Sequence, residues 1–266
     1  EAFAVVAIPM LAAAIWWLPA VVFLTLLGII VVTAADEMLT MARTAGAAVG
    51  RWLPLVLLVG VLASAWTVGP SGMALAAIVT VLALPTAQLA HPRSPDGALN
   101  AASIGTFVVL YVGFCAACLG WLRILPDGTL GIRLLFFFLV TIWIGDSGAY
   151  YVGSHLGRHR MSPRISPNKT WEGLAGGTVA ALAAAAVSKP LFALPFDWPH
   201  MAALAVIIAV AAPVGDLVES LVKRDTRVKD SSSLIPGHGG ALDRTDSLLY
   251  SAPPVLGFLL AFGLLR

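Results

Sequence analysis

The 266-residue chain is 59% hydrophobic and 11% charged, with a mean hydropathy of +0.91, against about 25% charged residues in soluble domains. That balance excludes a soluble globular domain and defines a polytopic membrane protein. A net charge of +2 is uninformative, and the placement of the charges carries the information; no nucleic-acid partner is expected.

Apolar runs of about 17–25 residues are long enough to cross a bilayer as helices. Nine are predicted, at 3–18, 19–38, 52–68, 71–90, 103–122, 129–150, 172–193, 199–219 and 247–265, giving an all-α fold of about nine transmembrane helices. Pro9 and Pro19 interrupt the first two, which are equally readable as one broken element. The chain begins at Glu1, so a short native N-terminus is expected ahead of it. Cys115 and Cys118 lie inside an apolar run with no His or acid nearby, so they are expected as buried hydrophobes, not metal ligands.

With nine crossings, the connections at 36–51, 91–100, 153–171 and 220–246 share one side of the membrane. They hold Arg43, Arg51, Arg93, Arg158, Arg160, Arg164, Lys169, Lys223, Arg224, Arg227, Lys229 and Arg244, whereas the opposite side has little beyond Arg123, Asp127, Lys189 and Asp197. The bias of Lys and Arg toward cytoplasmic loops makes the first set cytoplasmic.

Between Asp216 and Asp246 lie eleven of the thirty Asp, Glu, Lys and Arg residues, in about an eighth of the length. Ionisable groups next to lipid are expensive and point to function. Asp216, Glu219, Ser220 and Lys223 repeat at helical spacing and line one face at the end of a helix. Asp216 follows the apolar run Val206–Val214 so closely that its carboxylate needs a cation or an Arg, and a metal is favoured over structural pairing. Asp243 and Asp246 precede the last apolar run. Each alone reads as a helix cap; beside Asp216 they would complete an oxygen-ligand site for Mg²⁺, which takes one or two carboxylates plus substrate phosphates. Pro236-Gly237-His238-Gly239-Gly240 is a turn whose glycines let backbone N–H groups approach an anion. A solvated or headgroup-facing basic run is the plainer account of Lys223, Arg224, Arg227, Lys229 and Arg244.

A second cluster runs from Gly145-Asp146-Ser147-Gly148-Ala149-Tyr150 to Ser166-Pro167-Asn168-Lys169-Thr170-Trp171-Glu172-Gly173. Asp146 sits near the end of an apolar helix, again an expensive position. Residues 166–170 are expected as a turn with Thr170 or Asn168 as N-cap of the next helix. Lys169 suits an anion held at that helix start, and Trp171 marks the membrane interface.

Ser220-x-x-Lys223-Arg224-x₄-Lys229-Asp230, followed by Ile235-Pro236-x-His238-Gly239-Gly240-x-x-Asp243-Arg244-x-Asp246, resembles the signature of the CDP-diacylglycerol synthases, the phosphatidate cytidylyltransferases. Ala241 stands where that family usually carries a larger aliphatic, and Asn168 where a Lys is common. The stretches around Asp146 and Lys169 are similar to the family's second region.

The resemblance implies that CTP and phosphatidate give CDP-diacylglycerol and pyrophosphate at the cytoplasmic face of a bacterial inner membrane. It implies a division into N-terminal transmembrane helices, 1–100, and a catalytic region, 101–266, with signature loops 146–173 and 216–246. It assigns Asp146, Lys169, Asp216, Asp243, Arg244 and Asp246 to catalysis, with Asp216 and Asp243 as main Mg²⁺ ligands and Asp246 in support. Ser166, Lys223, Arg224, Lys229, His238, Gly239 and Gly240 are assigned to the substrates. It leaves room for a second cation, monovalent or divalent, for contacts with membrane lipids and for a homodimer. A CTP-dependent polyprenol or dolichol kinase, a cytidylyltransferase for archaeal ether lipids, and a transporter using Asp146 and Asp216 as ion ligands stay open as alternatives, the last disfavoured because the charges gather at one membrane face.

Overall fold

The computed structural model describes residues 2–90, 95–125, 128–234 and 239–265. Each expected apolar run holds helix: α1 (Ala2–Trp17), α2 (Ala20–Thr44), α3 (Trp52–Thr67), α4 (Pro70–Leu89), α5 (Ala98–Val108), continued through a π-helical turn at Val109–Phe114 into α6 (Cys115–Arg123), then α7 (Gly128–Leu156), α8 (Trp171–Leu191), α9 (Trp198–Asp225) and α10 (Leu242–Ala261). Among the described residues, six helices are long and apolar enough to cross a membrane: α2, α4, the run Ala98–Arg123, α7, α8 and α9. α3, at 16 residues, is shorter. Leu18 and Pro19 separate α1 from α2, while Pro9 is accommodated inside α1.

Local chemistry explains these elements. In lipid a helix must satisfy its own polar groups, and Thr25, Thr33, Ser64 and Thr80 do so by donating to carbonyls four residues earlier at 2.7–2.9 Å. Leu75, Leu82, Val179 and Val187 are each more than 60% exposed, as suits faces turned to hydrocarbon. Thr170 caps α8, its hydroxyl accepting from Gly173 N at 3.1 Å. The turn ahead of it is a short hairpin, β1 (Arg160–Ser162) antiparallel to β2 (Ser166–Thr170), pairing Arg160 with Thr170 and Ser162 with Ser166. α9 ends where Arg227 turns left-handed, φ 61°, and Val228 N reaches back to the Lys223 carbonyl at 2.9 Å.

The chain forms two compact units, neither of them one continuous stretch of sequence. The first contains residues 1–27, 122–214 and 254–266. Its core is built on Leu134, Leu135, Phe137, Phe138, Met201, Leu204 and Ile208, and on a seam between α7 and α8 lined by small residues. A Cβ on Gly148 would lie 2.5 Å from Ala180 Cβ, and one on Gly177 would lie 2.9 Å from the Gly145 carbonyl, so the two backbones touch where side chains are missing. The second unit contains residues 28–121 and 215–253. Met38, Leu39, Leu58, Val108 and Val112 are fully or almost fully buried in it. Cys115 and Cys118 are buried thiols there, with no disulfide between them.

Candidate active site

In the second unit, α9 and α10 approach so closely that a Cβ on Gly215 would lie 2.8 Å from the Asp246 carbonyl. The next residue is Asp216. Tyr111, carried on the π-helical turn, donates to the Gly215 carbonyl at 3.3 Å and fixes this stretch of α9 from the side. One α-helical turn after Asp216 comes Glu219, 1% exposed. Asp216, Glu219 and Asp246 each present a carboxylate oxygen, all within 4.8 Å of one another.

Octahedral Mg²⁺ holds ligands about 2.1 Å away, which puts any two of them about 4 Å apart or less. The group therefore fits a divalent cation after small side-chain adjustments. A second observation supports the fit: Glu219 Oε1 is buried and, among the described residues, has no hydrogen-bond partner, an unfavourable state for a carboxylate oxygen unless a cation or donor meets it.

Lys223 and Asp243 sit beside this group. Lys223 Nζ lies 2.7 Å from Glu219 Oε2 and 2.7 Å from Asp243 Oδ1. Asp243 Oδ2 accepts from Ser231 N at 2.9 Å, Ser231 Oγ at 2.6 Å and Gly240 N at 2.8 Å. Burial opposes its charge, but the bonds from Lys223, Ser231 and Gly240 N outweigh that and hold the carboxyl well below the usual carboxylate range. Asp243, expected as a main metal ligand, accepts here from the chain's own donors, Lys223 at Oδ1 and Ser231 and Gly240 at Oδ2, and Glu219 lies with Asp216 and Asp246 in the acidic group. Lys223, expected on substrate phosphate, is held between two acids.

The glycines of the signature also have an internal explanation. Gly239 is left-handed, φ 79°, and a Cβ on it would lie 2.6 Å from Asp243 Oδ2. Gly240 packs against Ser231 Oγ and the Glu37 carboxylate. Arg224, Lys229 and Arg244 are exposed in the same unit. His238 lies outside the described residues.

Asp146, Ser166 and Lys169 belong to the first unit. Asp146 is exposed and lines a small cavity with Thr141, Gly145, Gly177 and Pro213, while Ser166 opens β2. Lys169 donates to the Pro213 carbonyl at 2.8 Å. Glu172 accepts from Arg158 N and His159 N at 3.1 and 3.2 Å, anchoring the turn ahead of β1.

Sequence reasoning missed Glu37 altogether. Its carboxylate, 7% exposed, meets Ser231, Ser232, Ala241 and Leu242. The available signal was a pair of acids, Asp36-Glu37, between the apolar pairs Ala34-Ala35 and Met38-Leu39. Asp36 itself holds Arg51 at the start of α3 through two bonds of 2.6 and 2.8 Å.

A membrane-spanning helical scaffold with a largely buried acidic group, one of whose members bonds Lys223, and with exposed cations in the same unit defines a class of protein suited to polyanionic substrates at a bilayer surface. The chain belongs to the cytidylyltransferase family, whose model matches residues 2–262. It is 44% identical over 156 residues to a phosphatidate cytidylyltransferase of Bacillus subtilis, 59% of this chain and 57% of that one. A phosphatidate cytidylyltransferase of Brucella suis is 42% identical over 144 residues, covering 54% and 52%. One of Mycobacterium bovis is 38% identical over 160 residues, covering 60% and 51%. The matched stretch thus spans a little over half the length of these relatives.

Proposed function

We propose that the protein transfers CMP from CTP to phosphatidate, giving CDP-diacylglycerol and pyrophosphate. The observation that carries this reading is the largely buried group Asp216, Glu219 and Asp246, with Glu219 Oε1 unpartnered among the described residues, at and just ahead of the stretch that resembles the family's signature, in a chain that the family's model matches over residues 2–262. The names of the relatives support the choice of substrates.

An oxygen of the phosphatidate phosphate attacks the α-phosphorus of CTP, a P–O bond forms, and the bond to the β-phosphate oxygen breaks as pyrophosphate leaves. The nucleophile is already anionic, so no Ser, Cys or strong base is needed. Bound Mg²⁺ would neutralise phosphate charge that otherwise keeps two polyanions apart. Asp216, Glu219 and Asp246 would hold it, and a second cation belongs to the same proposal. Asp243 orients Lys223, Ser231 and Gly240. Arg224, Lys229 and Arg244 offer exposed cations that recruit and orient phosphates. Asp146, Ser166, Lys169 and His238 are retained as proposals for the same reaction. So are the placement in a bacterial inner membrane with the basic loops toward the cytoplasm, contact with its lipids, and a homodimer, which cross-linking in membranes would test.

CTP labelled at either the α- or the γ-phosphate separates the outcomes. Lipid carrying the α-label, with pyrophosphate released, is expected. Lipid carrying the γ-label would establish a kinase and overturn the assignment.

A further inference from the structure

The residue with the most revealing surroundings lies far from the signature in sequence. Glu37 is buried near the end of α2, and each of its carboxylate oxygens faces one hydroxyl and one backbone N–H. Oε1 accepts from Ser232 Oγ at 2.6 Å and Ala241 N at 3.0 Å; Oε2 accepts from Ser231 Oγ at 3.0 Å and Leu242 N at 2.9 Å. Ala241 and Leu242 stand at the N-terminus of α10, where backbone N–H groups lack intrahelical acceptors and a negative charge is stabilised. Ser231 Oγ also lies 2.6 Å from Asp243 Oδ2, so its single proton serves one carboxylate at a time and couples Glu37 to Asp243. Gly240 has no Cβ where the Glu37 carboxylate lies.

We infer that Glu37 is a positioning residue for the reaction. It ties the turn after α9 to the first residues of α10, and so sets where Asp243 and Asp246 stand on that helix. The inference rests on the cytidylyltransferase reading above for its consequence in catalysis, but the tie itself does not.

Glu37→Gln is the informative substitution. Whichever way the amide turns, its NH₂ group faces a backbone N–H, Ala241 or Leu242, that needs an acceptor. Glu37→Asp keeps both acceptors on a shorter stem. In the full chain in detergent, Glu37→Gln is expected to speed hydrogen exchange in peptides covering 231–242 by about tenfold or more. Peptides from α7 and α8 should be unchanged. In the CTP and phosphatidate assay kcat should fall by about tenfold or more while the KM for CTP moves less than about twofold, because both Glu37 oxygens are engaged by the chain's own donors and act through α10. Glu37→Asp should recover part of both effects.

A double-substitution cycle adds a readout that general destabilisation would not imitate: Gly240→Ala should be damaging in the parent and less damaging in Glu37→Ala, where Ser231 Oγ alone still faces the added Cβ. Unchanged exchange in 231–242 would overturn the tie. Faster exchange with kcat and KM intact would overturn the catalytic positioning. If the parent incorporates no CMP, the activity reading fails while the exchange arm still judges the tie. Should Glu37→Gln not be recovered folded, Ser232→Ala removes one donor from the opposite side and must shift the same peptides, or the inference falls.

Discussion

Lys223 and Asp243, twenty residues apart, meet at 2.7 Å, and the same ammonium touches Glu219 at 2.7 Å. One cation therefore holds two carboxylates, with the Lys223 side chain 14% exposed and the Glu219 side chain 2% exposed. Removing one partner of such a buried set leaves uncompensated charge, typically at a cost of about 3–5 kcal/mol. Lys223→Met is expected to lower the thermal midpoint in detergent by several degrees and to abolish turnover. A melting scan showing no change would exclude the bridge.

The acidic group and Asp243 should respond differently to metal. Chelation with EDTA is expected to abolish product formation, reversibly on adding Mg²⁺. Asp216→Ala and Asp246→Ala should be inactive at any Mg²⁺ concentration. Glu219→Gln should raise the Mg²⁺ concentration for half-maximal rate by about tenfold or more. Asp243→Asn should mainly reduce thermal stability, since its oxygens bind Lys223, Ser231 and Gly240. Initial rates against free Mg²⁺ check both; an Asp243→Asn enzyme that is stable but starved of metal would return Asp243 to the ligand set.

The seam between α7 and α8 offers a test of the fold. Gly148→Val must displace Ala180 and the Gly176 backbone, whose carbonyl would lie 3.1 Å from the added Cβ. Overpacking of this kind costs about 1–3 kcal/mol, so a lower yield of monodisperse protein and a lower melting midpoint are expected. Gly60→Ala on α3, where a Cβ meets nothing within 4 Å, should be neutral or slightly stabilising.

Arg227 lies within the basic run but outside the matched signature positions, and its backbone closes α9 in the left-handed region. Arg227→Ala should leave kcat and KM nearly unchanged. Arg227→Gly should raise stability modestly, since relieving a left-handed residue is worth about 1–2 kcal/mol and the added freedom of the unfolded chain takes back about 0.4–1 kcal/mol, read as a higher thermal midpoint with unchanged kinetics. A tenfold loss of activity in Arg227→Ala would give the side chain a role in substrate binding.

The helical runs were legible because length and apolarity decide them, and Thr170 as an N-cap because its residue type and position do. The hairpin at 160–170 was not: Pro163 and Pro167 break any alternation, and the paired stretch is too short to show a period. Spacing alone placed Asp216 and Glu219 on one face, yet it left open which acids gather with Asp246 and which bond Lys223. That choice depends on where Ser231 and Gly240 deliver their donors. Glu37 escaped because the second apolar run, ended at residue 38, placed 36–51 in a connection, whereas α2 continues to Thr44.

The distance along the chain between Glu37 and its partners has a consequence for how the protein is made. Ser231 lies 194 residues beyond Glu37, so at about 5–20 residues per second a ribosome delivers it roughly 10–40 s after the acid has emerged. Throughout that interval the carboxylate lacks its four donors, and hydrocarbon would penalise it heavily. Water or lipid headgroups must serve it meanwhile, which keeps the end of α2 at the membrane surface until the start of α10 exists. The contacts of this side chain can therefore form only once the start of α10 has been translated.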